Sequence, residues 1–405
     1  MGTRVLLDRA FDPLETVERA LVLHEPEAVL EMVKESGLRG RGGAGFPAGL
    51  KWQAVAGSGS PDRFIVANGA EGEPGSLKDR FLMEHRPDLI VGGIILAAWA
   101  TGAKKAYLYV HHGAEEARRS LDEAVSRASG RGLLKRVGLE VEVVSASIGY
   151  VAGEETAVIQ SIEGKPALPQ VKPPYPTAKG LFGCPTVVNN METLAHVPGI
   201  VERGPEWFRS LGTEDTPGTL LLTLNGVKQP GVYEFRAGTR LIDAISAAGG
   251  ARGKIKAVLP GGYSSGFLGY GDLDVPLEYS ALREKGSFLG CGAVHVFESG
   301  ECMVEVTRKI SHFFAAETCG QCFPCRRGTR NFLRAMLEAE RGYANGEWKK
   351  GVDESLALAV RKTICGLVSV AAKPVRTALE LFPEEFSLHL DEKRVACALC
   401  SGKEA

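Results

Sequence analysis

"GRGGAG", Gly40 to Gly45, spells G-x-G-x-x-G letter for letter, the spacing of a dinucleotide-binding phosphate loop. In that role it would open a Rossmann unit, with a strand running in and a helix running out so that a pyrophosphate meets the helix N-terminus. The flanks read otherwise. Upstream, "PEAVLEMVKESG" carries Val29, Leu30, Met32 and Val33 at helical spacing, with Pro26 near its start and Gly37 placed as a C-cap. Downstream, "FPAGLKW" has Pro47 and Gly49 where the first helical turn should stand. With 50 glycines in 405 residues, the three-glycine spacing is expected roughly once by chance. The loop therefore follows a helix. What it offers is permissive backbone with uncovered N–H groups, Arg41 within it and Lys51 just after, a place for an anion or a flat ring.

Working outward, 44% hydrophobic and 24% charged residues are ordinary for a globular chain of about two to four domains. A net charge of −1, with no basic block and no aromatic-interleaved basic patch, argues against nucleic acid as a partner. The longest apolar run, Leu89 to Ala103, is closed by Asp88 and Lys104 and is too short for a bilayer, so it reads as a buried helix. "MGTRVLLDRAFDPLE" lacks the apolar core and cleavage site of a signal peptide. The expectation is a cytoplasmic protein that meets the inner face of the membrane only through partners.

Three β-rich runs follow the loop: "RFIVANG" from Arg63, "KAYLYVH" from Lys105 and "LEVEVVSAS" from Leu139. Helical stretches from Pro87 to Gly102, Glu115 to Ser129 and Gly153 to Glu163 separate or follow them, the alternation of a mostly parallel sheet covered on both faces. Ligands of such sheets sit at the carboxyl ends of the strands, which singles out "NGAEGEPG" and "GYVAGEET". Pro166 to Gly180 is too proline-dense for regular structure and reads as a linker or a loop pressed against a ligand. From about Thr219 to Glu298 the order hairpin, helix, further strands suggests a small α+β domain of the β-grasp kind. From Cys302 on, "MVEVTRKISHFFAAE", "RNFLRAMLEAERG", "ESLALAVRKTICGLV" and "VRTALELF" read as a helical bundle.

Nine cysteines without an export signal point to reduced thiols, metal ligands or both. "ETCGQCFPCRRG" places Cys319, Cys322 and Cys325 in C-x-x-C-x-x-C, a spacing that chance supplies in on the order of one such sequence in two hundred. Three thiolates so spaced wrap one corner of a [4Fe–4S] cube better than they fit a zinc tetrahedron, which usually draws on two separated knuckles. A fourth ligand is needed, and Cys365, in a predicted helix of the same bundle, could close the site. Arg326 and Arg327 would help offset the charge of a thiolate-bound cluster, or simply be solvated. Cys184, Cys291 and Cys302 read as small buried hydrophobes. Cys397 and Cys400 read as an inert tail, a redox pair or half of an intersubunit metal site.

At this point the residues match a family. "SGLRGRGGAGFPAGLKW", "EGEPGSLKDR", "GYVAGEETAVIQSIEG", "KPPYP", "PTVVNNMETLA" and "ETCGQCFPCRRG" resemble, in this order, motifs of the NADH-binding flavoprotein subunit of respiratory complex I. They equally resemble the diaphorase subunits of NAD-dependent formate dehydrogenases and hydrogenases. The resemblance runs from about Thr16 to Pro383. It implies an α/β fold: a Rossmann-like FMN-binding domain with a parallel sheet and an N-terminal arm (residues 1–200), a β-grasp, ubiquitin-like domain (201–298) and a helical bundle carrying a [4Fe–4S] cluster (299–405). NAD(H) would exchange hydride with FMN, and electrons would pass singly through the cluster. The usual neighbours are a small thioredoxin-like [2Fe–2S] subunit and a further iron–sulfur or catalytic subunit. The alternative is a non-catalytic iron–sulfur scaffold or conduit whose NADH binding has decayed.

Carried over residue by residue, Gly40, Arg41, Gly42, Lys51, Asn68, Tyr150, Gly153, Glu154, Asn189, Asn190 and Thr193 would line FMN. Phe46, Glu73, Glu155, Lys172 and Tyr175 would handle the nucleotide, with Glu73 near the nicotinamide. Cys319, Cys322, Cys325 and Cys365 would hold the cluster. On their own chemistry, Phe46 and Tyr175 can stack on adenine or pack on neighbouring prolines. Glu155 can accept ribose hydroxyls and repel a 2′-phosphate, or serve only as a first-turn helix carboxylate. Asn189 and Asn190 can cap the helix that begins "METLA". Relatives usually carry an Asp where this chain has Ala70 and a second Phe where it has Ala54, departures that bear on flavin and NADH binding and favour a paralogue serving another dehydrogenase.

Overall fold

The computed structural model describes residues 5–342 and 347–391. Strands β1 (Phe64–Gly69), β2 (Lys105–Val110), β3 (Glu140–Ser145) and β4 (Thr186–Asn190) form an all-parallel sheet in the order β3-β2-β1-β4. Their side chains alternate between two cores, as a period of two demands. Ile65, Ala67, Ala106, Leu108, Val110 and Val187 join the larger one, with the helix Pro87–Thr101, while Val66, Tyr107, Tyr109 and Val188 face Val158, Ile159 and Leu181 on the other side. The outer strand β3 keeps Glu140 and Glu142 in solvent, paired with Lys105 at 3.1 and 3.2 Å, which blunts an otherwise open edge. The apolar run from Leu89 is indeed a buried helix. It crosses the helix Met191–Ala195 at Gly93, where a Cβ would stand 2.0 Å from the Leu194 carbonyl oxygen.

The three expected strands and their helices stand where the pattern put them. The fourth strand, β4, was missed, because "TVVNN" has two asparagines and follows a proline-dense stretch. Residues 166–180 contain no helix or strand.

The second sheet comprises β5 (Thr219–Asn225), β6 (Gly231–Arg236), β7 (Ile255–Leu259), β8 (Leu268–Gly269) and β9 (Ala293–Glu298), ordered β6-β5-β9-β7-β8. β5 and β6 form a hairpin, β9 runs parallel to β5, and the helix Leu241–Ala247 seats Leu241, Ala244 and Ile245 in the core beneath them. This is the β-grasp arrangement.

Helices Met303–Glu317, Phe323–Glu340, Trp348–Ala359, Leu367–Leu381 and Pro383–Asp391 close the described chain around Phe314, Phe332, Met336, Val352, Val368 and Val375. One expectation is corrected here. The stretch "ESLALAVRKTICGLV" is not one helix: it ends at Ala359, and a new helix starts at Leu367 after Gly366, whose φ of 78° no continuing helix tolerates. Cys365 therefore sits in the turn between two helices. The helix through "RNFLRAMLEAERG" begins earlier than its apolar period shows, at Phe323, with Pro324 in its first turn and Cys325 just after. Cys397 and Cys400 lie outside the described residues. Among the described residues no helix is long and apolar enough to cross a membrane.

Candidate functional site

The carboxyl edge of the parallel sheet is where the sequence-singled loops converge. The glycine loop is pinched shut by an Arg39–Pro47 bridge and a Gly40 N–H to Phe46 carbonyl bond of 2.9 Å. It runs from the helix Pro26–Glu35 to a helix at Ala48–Ala56, which the proline and glycine downstream had argued against, so it is a helix-to-helix loop and not a strand-to-helix phosphate turn. Arg41 donates its backbone N–H to Thr193 Oγ1 at 2.8 Å, and a Cβ on Gly42 would come within 3.1 Å of the Asn190 Cβ, so the loop lies against the end of β4. The Arg41 guanidinium turns inward to the Pro217 carbonyl at 2.5 Å, buried, with Nε and Nη1 unpartnered. At the end of β1, Asn68 donates to the Gly153 carbonyl at 2.8 Å and accepts the Ala70 N–H at 3.1 Å.

Lys51, Glu154, Glu155 and Lys172 form one charged chain across this edge. Lys51 Nζ bonds Glu155 at 2.9 Å and the Val188 carbonyl at 3.3 Å; Lys172 Nζ bonds Glu154 at 2.7 Å and Glu155 at 3.1 Å. Glu154 also caps the helix Glu155–Ile162 through the Thr156 and Ala157 N–H groups. Burial works against the charge of Glu155, but the two ammonium groups outweigh it and hold its carboxyl below the ordinary range. Burial likewise opposes the Lys172 charge, and the two carboxylates raise it instead. Phe46 and Tyr175 stand at the rim, 51% and 56% exposed, with Lys51 Nζ 6.0 Å from the Phe46 ring centre.

Glu73 is reached from both sheets. Its carboxylate accepts the Tyr150 hydroxyl at 2.9 Å and the Ser264 N–H at 3.1 Å, the latter from the β-grasp loop. Burial raises its pKa, and those hydrogen bonds only partly offset it. Asn189 accepts the Trp52 indole N–H at 2.8 Å, and Asn190 caps the helix Met191–Ala195 through the Glu192 N–H at 3.0 Å. Beneath them lies a network that sequence reasoning missed. Lys78, 1% exposed, sits 2.9 Å from both Asp79 and Glu192, and Asn190 donates to Asp79 at 2.6 Å. "SLKDR" gave no sign of it, since adjacent opposite charges usually face water. Ser264 was missed for a simpler reason: it lies 191 residues from Glu73. Ala54 is exposed, and Ala70 packs on the small core that holds Val158 and Ile159.

At the bundle end, Cys319 and Cys322 lie near enough to act on the Cys325 thiol, and Cys325 and Cys319 near enough to act on Cys365, which gathers the four cysteines in one neighbourhood. The turn that carries Cys365 meets the motif directly, the Ile364 N–H donating to Cys322 Sγ at 3.4 Å. The start of the helix Leu367–Leu381 lies beside these thiols, and its Val368 and Leu367 backbone favours the thiolates of Cys325 and Cys365 against burial. Burial is the main cause that pushes Cys365 up to about 11 and raises Cys325.

These donor sets fit the groups the resemblance implies. Four neighbouring thiols, with the Ile364 N–H on Cys322 and the Gln321 amide on Cys319, suit a thiolate-bound iron–sulfur cube. Bare glycine backbone, two lysines and a buried guanidinium with free N–H groups suit a flavin nucleotide and a second nucleotide beside it.

Comparison with known proteins agrees. Residues 33–199 match the Nuo51 FMN-binding domain, residues 225–263 the SLBB domain, and residues 305–389 the iron–sulfur binding region of NADH-ubiquinone oxidoreductase-F. The fold and site thus define an FMN- and iron–sulfur-binding oxidoreductase component. An F subunit of the NADH-quinone oxidoreductase of Rhizobium meliloti (strain 1021) is 39% identical over 392 residues, 93% of this chain and 92% of that protein. The corresponding F subunit of Escherichia coli (strain K12) is 38% identical over 394 residues, 93% of this chain and 88% of that one. A crystal structure of an NAD+-reducing [NiFe]-hydrogenase in the H2-reduced state superimposes with a TM-score of 0.90 at 36% identity, covering 96% of this chain and 67% of that one. The chain belongs to the family of NADH-quinone oxidoreductase F subunits.

Proposed function

We propose that this chain is the electron-input subunit of a multisubunit oxidoreductase, exchanging hydride between NAD(H) and FMN and passing electrons singly through one [4Fe–4S] cluster. The observation that carries the reading is the junction between the two sites: the Tyr150 N–H, on the loop that leads to Glu155, bonds Glu317, two residues before Cys319, at 2.7 Å. FMN, when bound, supplies the exchange between a two-electron hydride and one-electron carriers. The protein's part is to bind, orient and exclude water.

Gly40, Arg41, Gly42, Lys51, Asn68, Tyr150, Gly153, Glu154, Asn189, Asn190 and Thr193 line FMN in this reading. Phe46 and Tyr175 take the adenine, Lys172 and Glu155 the phosphates and ribose, and Glu73 the nicotinamide end. The negative Glu155 selects against a 2′-phosphate. Cys319, Cys322, Cys325 and Cys365 hold the cluster. Residues 1–200, 201–298 and 299–405 form the working units, in keeping with largely separate hydrophobic cores. Electrons leave to a thioredoxin-like [2Fe–2S] subunit or a further iron–sulfur or catalytic subunit, in the cytoplasm or at the inner face of the membrane. The rival reading, a conduit with decayed nucleotide binding, has against it the intact Lys51–Glu155–Lys172 chain.

The test is anaerobic: NADH added to the flavin- and cluster-loaded chain should bleach the flavin band and then reduce an artificial acceptor. A flavin that stays oxidised in excess NADH refutes the proposal in favour of the conduit.

A further inference from the structure

The residues on either side of Cys319 reach in two directions. Before it, Glu317 holds the Tyr150 loop. After it, Gln321 donates through one side-chain nitrogen, Nε2, to the Pro169 carbonyl at 3.1 Å and to Cys319 Sγ at 3.6 Å, a contact length for the larger sulfur atom. An amide nitrogen carries two hydrogens and can serve both acceptors at once. Pro169 begins the strip that carries Lys172 and Tyr175. That strip is pinned next by the Gln170 N–H to Thr156 Oγ1 at 2.8 Å, then by Lys172 on Glu154 and Glu155. A single exposed side chain thus joins a cluster ligand to the nucleotide strip.

We infer that Gln321 is a positioning residue that couples the redox state of the cluster to the nucleotide affinity of residues 169–175. The inference rests on the function proposed above. Reduction adds negative charge to the ligating sulfurs and strengthens hydrogen bonds donated to them, one of the levers that set a cluster's potential. Held harder by Cys319, the amide holds Pro169 harder through its other hydrogen, and Lys172 and Tyr175 meet the nucleotide already ordered. Linkage makes the effect reciprocal: a nucleotide that orders the strip stabilises the reduced cluster by the same factor. Thr318 supplies an internal control. Its Oγ1 lies 3.3 Å from Cys325 Sγ, and its other bond is to the Gly320 N–H at 3.4 Å within the same turn.

The experiment uses the full chain loaded with FMN and cluster, and ADP-ribose as a redox-inert probe that keeps the adenine and diphosphate. Calorimetry gives its dissociation constant at oxidising and reducing potentials, and an EPR-monitored titration gives the cluster potential with and without it. Wild type should bind ADP-ribose about threefold tighter when reduced, the scale of one modest hydrogen bond, and ADP-ribose should raise the cluster potential by the matching ~28 mV. Gln321→Leu should lose this coupling and lower the probe-free potential. Thr318→Val should lower the potential and keep the coupling. Gln321→Glu, similar in size but without the N–H donor, should repeat the loss if the leucine variant loads poorly. Coupling unchanged in the Gln321 variants, or lost equally in Thr318→Val, overturns the inference. Wild type that binds ADP-ribose and has a reducible cluster but shows no coupling overturns it and leaves the proposed function standing. Wild type that binds no nucleotide refutes both.

Discussion

Lys78 holds its ammonium 2.9 Å from both Asp79 and Glu192 with almost no access to water. Removing one member of a buried ion group leaves the others uncompensated, so Lys78→Met should cost about 3–5 kcal/mol, read as a lower denaturant midpoint. The same contact gives a pH signature. Burial alone would raise the Glu192 carboxyl, but Lys78 and His196 outweigh it and bring it from 4.5 down to about 2. Because the folded value lies below the unfolded one, the stabilisation is complete above pH 4.5 and is lost as pH falls toward 2. Wild type should therefore exceed Glu192→Gln by ~3 kcal/mol near neutrality, and the gap should close across that window. None of this was legible in the sequence. Which first-turn helix charges become buried depends on what the fold lays over them.

Among the elements, the bundle turns carry the most chemistry. Cys319 to Cys325 announced themselves by spacing, and Cys365, expected in a helix of the same bundle, lies in that bundle but in a turn between two helices. Gly366 makes the difference, since its left-handed backbone stands between Cys365 and the helix that begins at Leu367, which leaves the cysteine in the turn. Cys365→Ala should abolish the cluster's visible absorption while leaving flavin uptake and bleaching by NADH intact, because the loops proposed to line FMN are carried by the parallel-sheet domain and not by the bundle turn. Visible spectra and iron content check this. The high pKa of the Cys365 thiol adds that cluster loading releases protons, measurable as acidification in weakly buffered solution.

Across the whole molecule, the β-grasp domain closes over the flavin domain at Glu73. Gly262 has a φ of 91°, and a Cβ there would stand 2.5 Å from Glu73 Oε1, so Gly262→Ala must displace either the loop or the carboxylate. NADH-dependent bleaching should slow by about tenfold, ~1.4 kcal/mol of barrier, a change that stopped-flow absorbance would detect. Strand alternation, the buried apolar helix, the hairpin–helix order and the cysteine triplet were all legible, because each is a local pattern with its own period or spacing. The six ordered motifs carried the family.

The sequence by itself determined most of the elements, the order parallel sheet, β-grasp, bundle, and the cysteine set whose chemistry suits a cluster. Only the tertiary structure decided that "GRGGAG" is a bridged loop lying on β4, that Glu73 is shared between two sheets, that Lys78 is buried, and that Gln321 spans from Cys319 to Pro169. The reason is one of range. Periodicity and spacing are written in neighbours a few residues apart, whereas these contacts join segments up to 191 residues apart whose meeting is fixed by how the layers pack.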